Sequence, residues 1–168
     1  MTAPPTPSFD ARRTPYSIST DRSRLDLEVI AEFLQRSYWA PGRTRERIAL
    51  SIACSIPFGL YHHGEREVQV GFARVVTDYV TIAFLADVFV LEPHRGQGLG
   101  VWLAESVCSL PELARVRRWL LGTRDAHELY RKFGFEEPEP ATLMNRLNVH
   151  SDAAEREAQS SQLPSIQR

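Results

Sequence analysis

The chain has 168 residues, 43% hydrophobic and 24% charged, which suits one soluble globular domain with a buried core. A formal net charge of −1 and a pI near 6.5 argue against nucleic acid or an anionic membrane as the main partner. Cys54 and Cys108 are too few and too far apart for a disulfide framework or a Cys-based zinc site.

Residues 1–14 are rich in Pro, Thr and Arg, and carry no basic-then-apolar leader pattern. Residues 150–168 are rich in Ser, Gln and Glu. A folded domain over 15–149 is therefore expected between a disordered N-terminal segment and a flexible C-terminal tail. No apolar run approaches the roughly 18 residues of a membrane span, and the cytoplasm is the expected compartment.

Residues 16–20 read as a short strand. Ser23 and Asp26 suit a helix start, with Leu27, Ile30, Phe33 and Leu34 recurring at helical spacing. A loop over 36–42 carries Tyr38 and Trp39, and Thr44 can cap a second helix bearing Ile48 and Ile52. Residues 58–61 and 67–76 flank a turn at 62–64, which predicts a hairpin. The His62–His63 pair in that turn has the wrong spacing for joint metal ligation, and no metal is expected. A second turn at 77–79 leads into an apolar run over 80–91 that suits a buried central strand.

The sharpest feature follows. VFV at 88–90 ends the strand, and RGQGLG at 95–100 opens a helix that continues until Pro111. A helix start leaves backbone N–H groups without internal partners, and the helix dipole favours an anion there. Glycines at 96, 98 and 100 lack the Cβ atoms that keep a phosphate away from that backbone, and Arg95 adds a positive charge. A pyrophosphate fits this combination. The segment has no Lys-Ser or Lys-Thr of a P-loop and no register of G-x-G-x-x-G. Beyond it, residues 119–121 suit a short strand, 123–133 a helix closed by Gly134, and 142–147 a last strand. The order is that of an α/β chain with a mostly antiparallel start.

The run VFVLEPHRGQGLG at 88–100 resembles the coenzyme A motif of the GNAT (GCN5-related) N-acetyltransferase superfamily. AHELYRKFGF at 126–135 is similar to that family's A-x-x-L-Y-x-x-x-G-F segment, and both stand in the expected order. The resemblance implies an α+β fold: a central, mostly antiparallel mixed sheet flanked by helices. It implies acetyl-CoA as co-substrate and transfer of its acetyl group to a primary amine of a small molecule, a peptide or a protein.

Carried onto this sequence, the resemblance implies that the backbone of Val88, Phe89 and Val90 pairs with the pantetheine arm. Arg95, Gly96, Gln97, Gly98, Leu99, Gly100 and Val101 would hold the pyrophosphate, with Thr123 and Ala126 also at the cofactor. Tyr130 would protonate the leaving thiolate. Many relatives carry Asn where Thr123 stands, and Arg118 replaces a Glu that some use. The general base is therefore open among Asp87, Glu92, His94 and Asp78. Asp87 ranks first because it interrupts an apolar run, although capping a strand bulge or pairing with an arginine such as Arg74 is the more ordinary role for such a carboxylate. Tyr38, Trp39 and Tyr79 are the candidate acceptor-binding aromatics. A homodimer is compatible with the sequence. The competing reading is a catalytically silent acyl-CoA sensor, and a nucleotide-binding protein unrelated to CoA ranks below it.

Overall fold

The computed structural model describes residues 7–140 and 142–144. Chain order begins with β1 (Asp10–Arg13) and β2 (Tyr16–Ser19), followed by α1 (Leu27–Arg36) and α2 (Arg45–Ala53). Asp26 accepts from the Glu28 and Val29 amides at the head of α1, and Thr44 accepts from the Arg47 amide at the head of α2. These caps satisfy amides that have no intrahelical acceptor. Ser23 belongs instead to a single 3₁₀ turn capped by Asp21.

The strands β3 (Ile56–His63), β4 (Glu67–Thr77) and β5 (Ile82–Val90) form an antiparallel meander. α3 (Leu99–Cys108) then crosses over, so that β6 (Arg118–Leu121) joins β5 in parallel. Among the described residues the sheet has six strands in the order β1-β2-β3-β4-β5-β6. The expected mixed, mostly antiparallel sheet flanked by helices is the architecture found.

Each face of the sheet has its own core. On one side, Phe58, Leu60, Val75 and Leu85 pack with Trp102, Leu103 and Val107 of α3. On the other, Phe72 and Phe89 pack with Ile30 and Leu34 of α1 and Ile48 and Ile52 of α2. The alternation of strand side chains between faces sends neighbouring residues to opposite cores.

Three local expectations are corrected. Part of the segment expected to be disordered is a strand: β1 pairs with β2 from Asp10↔Ser19 to Arg13↔Tyr16. Just before it, Thr20 donates its hydroxyl to Pro7 O at 2.7 Å and accepts from the Phe9 amide at 2.8 Å. The helix expected over 123–133 shrinks to α4 (His127–Arg131). Its end holds two bonds of a Schellman cap, Phe135 N to Tyr130 O and Gly134 N to Arg131 O, with Gly134 at φ 79°. In the strand expected over 142–147, Thr142–Met144 form no strand, and 145–147 lie outside the described residues, as does the tail over 150–168.

Candidate active site

The site arises from two irregularities in β5. Its register with β4 runs Phe72↔Phe89 and then Arg74↔Ala86, so Asp87 and Val88 together oppose Ala73. This is a β-bulge, and Asp87 takes a left-handed φ of 54° within it. The parallel register with β6 ends at Leu85↔Leu121, where the two strands separate. Beyond that point the outer edge of β5, from Ala86 to Val90, has no strand partner among the described residues.

The direction of the backbone follows from the ladder. Leu91 N donates to Val70 O at 2.8 Å, which makes Val90↔Gly71 a non-hydrogen-bonded pair and turns Phe89's peptide groups toward β4. The Phe89 carbonyl lies so close that a Cβ on Gly71 would stand 2.7 Å from it. Of the three residues expected to pair with an extended arm, Phe89 therefore has its backbone engaged. Val88 has no register partner on either side among the described residues. The Val90 carbonyl accepts from Arg95 Nε at 2.8 Å, leaving its amide to the open edge.

A cleft of about 960 Å³ follows this edge. Its walls include Val88 to Val90, Arg95, Thr123, Ala126 and Tyr130, together with Tyr38 and Trp39. Past Arg95, Gly96 and Gly98 have φ of 77° and 75°, and open space surrounds the Cβ position of each. Gly98 is the N-cap of α3, and buried Leu99 anchors the helix start. Gln97 is held from β2, because Tyr16 Oη donates to its Oε1 at 3.2 Å. The backbone of the turn thus faces outward while a side chain fixes it from behind. Gly100 packs beside Leu129 and Val101 is half-buried in the first turn of α3. Thr123 accepts the Ala126 amide at 3.1 Å and so shapes the approach to α4.

Tyr130 is nearly buried, and burial pushes its hydroxyl up to about 12, with Cys108, Tyr38 and Asp125 adding to the effect. It is therefore a protonated donor throughout the neutral range. Tyr38 lines the cleft and is held by Arg124: its Oη accepts the Arg124 amide at 3.1 Å, and the Arg124 guanidinium lies 4.3 Å from its ring centre. Trp39 packs edge-on against Tyr38 and lies 6.2 Å from Phe33, which stacks on Phe89 at 3.9 Å. Tyr79 is not with them. It sits in the β4–β5 turn at φ 65° and packs against the α3-side core, so its expected place at the acceptor entrance is corrected.

Each of the four base candidates already has a partner within the protein. Asp87 Oδ2 accepts from Arg74 Nε at 2.6 Å and Arg43 Nη1 at 2.8 Å, so the pairing with Arg74 is present and doubled. Glu92 is paired with Arg95 at 3.1 Å. Asp78 caps the β4–β5 turn: the Thr81 hydroxyl, joined by the Val80, Ile82 and Thr81 amides, holds its carboxyl well below the usual range. His94 lies 3.0 Å from Tyr16 Oη, where burial and nearby His62 lower its pKa. Asp125, which the sequence did not single out, is the cleft-lining carboxylate without an ion-pair partner among the described residues. Arg43 also went unnoticed, since its contact with Asp87 spans 44 positions. No group of three or more metal-binding side chains gathers among the described residues, and no helix there is long and apolar enough to cross a membrane.

Comparison with known proteins points the same way. Residues 58–137 match the profile described as the acetyltransferase (GNAT) domain. A candidate acetyltransferase of Gibberella zeae is 32% identical over 141 residues, covering 71% of this chain and 78% of that protein. A crystal structure from Xanthomonas campestris, described as belonging to the GNAT family, is 41% identical with a TM-score of 0.74, covering 79% of this chain and 93% of that one. The ribosomal-protein-S18-alanine N-acetyltransferase of Escherichia coli is 25% identical with a TM-score of 0.58, covering 73% and 79%.

Proposed function

Because the chain belongs to the GNAT acetyltransferase family, we propose that it transfers an acetyl group from acetyl-CoA to a primary amine by direct attack. One observation carries the reading. The β5 edge left open by the departure of β6 follows the cleft as far as Arg95, and the exposed glycine turn comes next in the chain. An extended amide-bearing arm can add to such an edge as a strand, while a pyrophosphate takes the helix start.

Acetyl-CoA supplies the activated acyl carbon, and the remaining tasks fall to this chain. The Val88 peptide groups and the Val90 amide hold the arm. The amides from Gly96 to Val101 receive the diphosphate, as the bare glycine positions favour. A main-chain N–H at the bulge is assigned to the charge that develops on the carbonyl oxygen. Tyr130, kept protonated by burial, gives its proton to the departing sulfur. The amine's excess proton leaves toward water or Asp125 in the open cleft. Asp87 acts as an anchor: its two arginines occupy one oxygen and hold the α1–α2 loop against the bulge.

Titration of acetyl-CoA into the folded protein tests the binding half of this reading by calorimetry. Release of free thiol across a panel of amines tests the transfer. Binding without release on every amine would select the silent sensor instead, and no heat on titration would remove both.

A further inference from the structure

The acceptor half of the cleft holds two cations whose hydrogen-bonding capacity is mostly unused. The Arg74 side chain is only 11% exposed, yet its one protein acceptor among the described residues is Asp87 Oδ2, reached through Nε. The Arg43 side chain, 22% exposed, reaches the same oxygen through Nη1 and finds no other acceptor among those residues. A guanidinium carries five N–H donors in a planar fork. Both groups line the cleft, so their unused donors face a space that a ligand can enter. Donors this deeply placed ordinarily have partners.

Charge narrows the choice of partner. Two guanidinium groups on one carboxylate leave a single uncompensated positive charge. The other cleft arginines are answered elsewhere, Arg36 by Glu32 and Arg95 by Glu92. Asp125 lies on the Tyr130 wall, where an arriving ammonium is welcome and an anion is not. One surplus charge matches a carboxylate better than a phosphate dianion, and the planar fork matches its two oxygens.

The neighbouring surface adds an apolar requirement. Trp39 and Phe84 line the same cleft while remaining 38% and 41% exposed. Phe84 is on the same sheet face as Ala86, the register partner of Arg74. We propose that the acyl acceptor is an amine that also bears a carboxylate, gripped by Arg43 and Arg74, with an apolar side chain against Trp39 and Phe84. This deepens the acetyl-transfer reading and rests on it.

The test begins with CoA binding, followed by calorimetric titration of the CoA-loaded protein with three probes sharing a phenyl ring. Phenylalanine and 3-phenylpropanoate carry the carboxylate, and 2-phenylethylamine lacks it. Both carboxylates are expected to bind about tenfold or more tightly than 2-phenylethylamine, as for a charge-assisted bidentate contact. Arg43→Gln should erase that preference, and Arg43→Lys should restore part of it. If R43Q does not fold, loss of the preference with rising salt in the unaltered protein provides the same reading. Equal or tighter binding of 2-phenylethylamine, no heat from either carboxylate, or a preference untouched by both R43Q and salt overturns the inference. Protein that takes up no CoA overturns the acetyl-transfer reading and this inference with it; protein that takes up CoA but ignores the carboxylate overturns this inference alone.

Discussion

Tyr130 is the proton donor in the proposed transfer, and its burial bears on that role. Its hydroxyl has no hydrogen-bond partner among the described residues, and its ring packs against Phe135 at 5.9 Å. Replacing it with Phe keeps that packing and removes only the proton donor. Tyr130→Phe is therefore expected to lower kcat by about 10²-fold, within the usual range for a lost general acid, while the acetyl-CoA Kd changes little. Steady-state kinetics with parallel calorimetry checks this split; an unchanged kcat would assign the tyrosine to packing alone. The sequence singled out this residue because its motif is local. The cluster of Arg43, Arg74 and Asp87 is not local: its members come from a loop and two strands, and a left-handed Asp is visible only once the bulge has formed.

At the scale of elements, start signals were the most readable. Asp26 and Thr44 stand where helix heads need an acceptor, and the glycine run over 95–100 marks the start of α3. What eluded the sequence depends on partners far along the chain. β1 is short and charged, flanked by Pro7 and Pro15, with no apolar alternation to announce it. It becomes a strand because β2 offers an edge and Thr20 clasps the chain at Pro7 and Phe9. Phe9 adds a ring contact to Phe58 at 5.9 Å. Removing residues 1–13 should therefore destabilise the domain by about 1–3 kcal/mol, from the lost Phe9 burial and strand pairing. Denaturant melts of the full and shortened chains measure this, and coincident curves would return the segment to the status of a loose leader.

For the whole molecule, titration sets an alkaline limit. Burial raises Tyr130 from 10.0 to about 12 and Cys108 from 9.0 to about 11. It also raises Tyr61, whose hydroxyl is buried without a partner among the described residues. A folded-state pKa above the unfolded value contributes stability that is complete below the unfolded pKa and is lost as pH climbs through the folded one. Thermal midpoints should thus decline between about pH 9 and 12 by this linkage, and Tyr130→Phe should flatten the upper part of the decline. Identical slopes in the two proteins would mean that the hydroxyl titrates normally. The broad architecture was legible because two motifs and the alternation of element types agree. The cleft's charge balance was not, because it is a sum over segments that meet only in the folded chain.

The parting of β5 and β6 carries one more consequence. β6 is fastened to the sheet by four paired positions, and α4, which follows it, has five residues. That margin of the domain is a half-closed zip. On the proposed binding mode, the guest supplies the missing teeth, so loading the site also mends the scaffold, by roughly 2.7 kcal/mol when free carrier stands a hundredfold above its Kd. The resilience of the protein in its natural setting would then track the local abundance of its own donor.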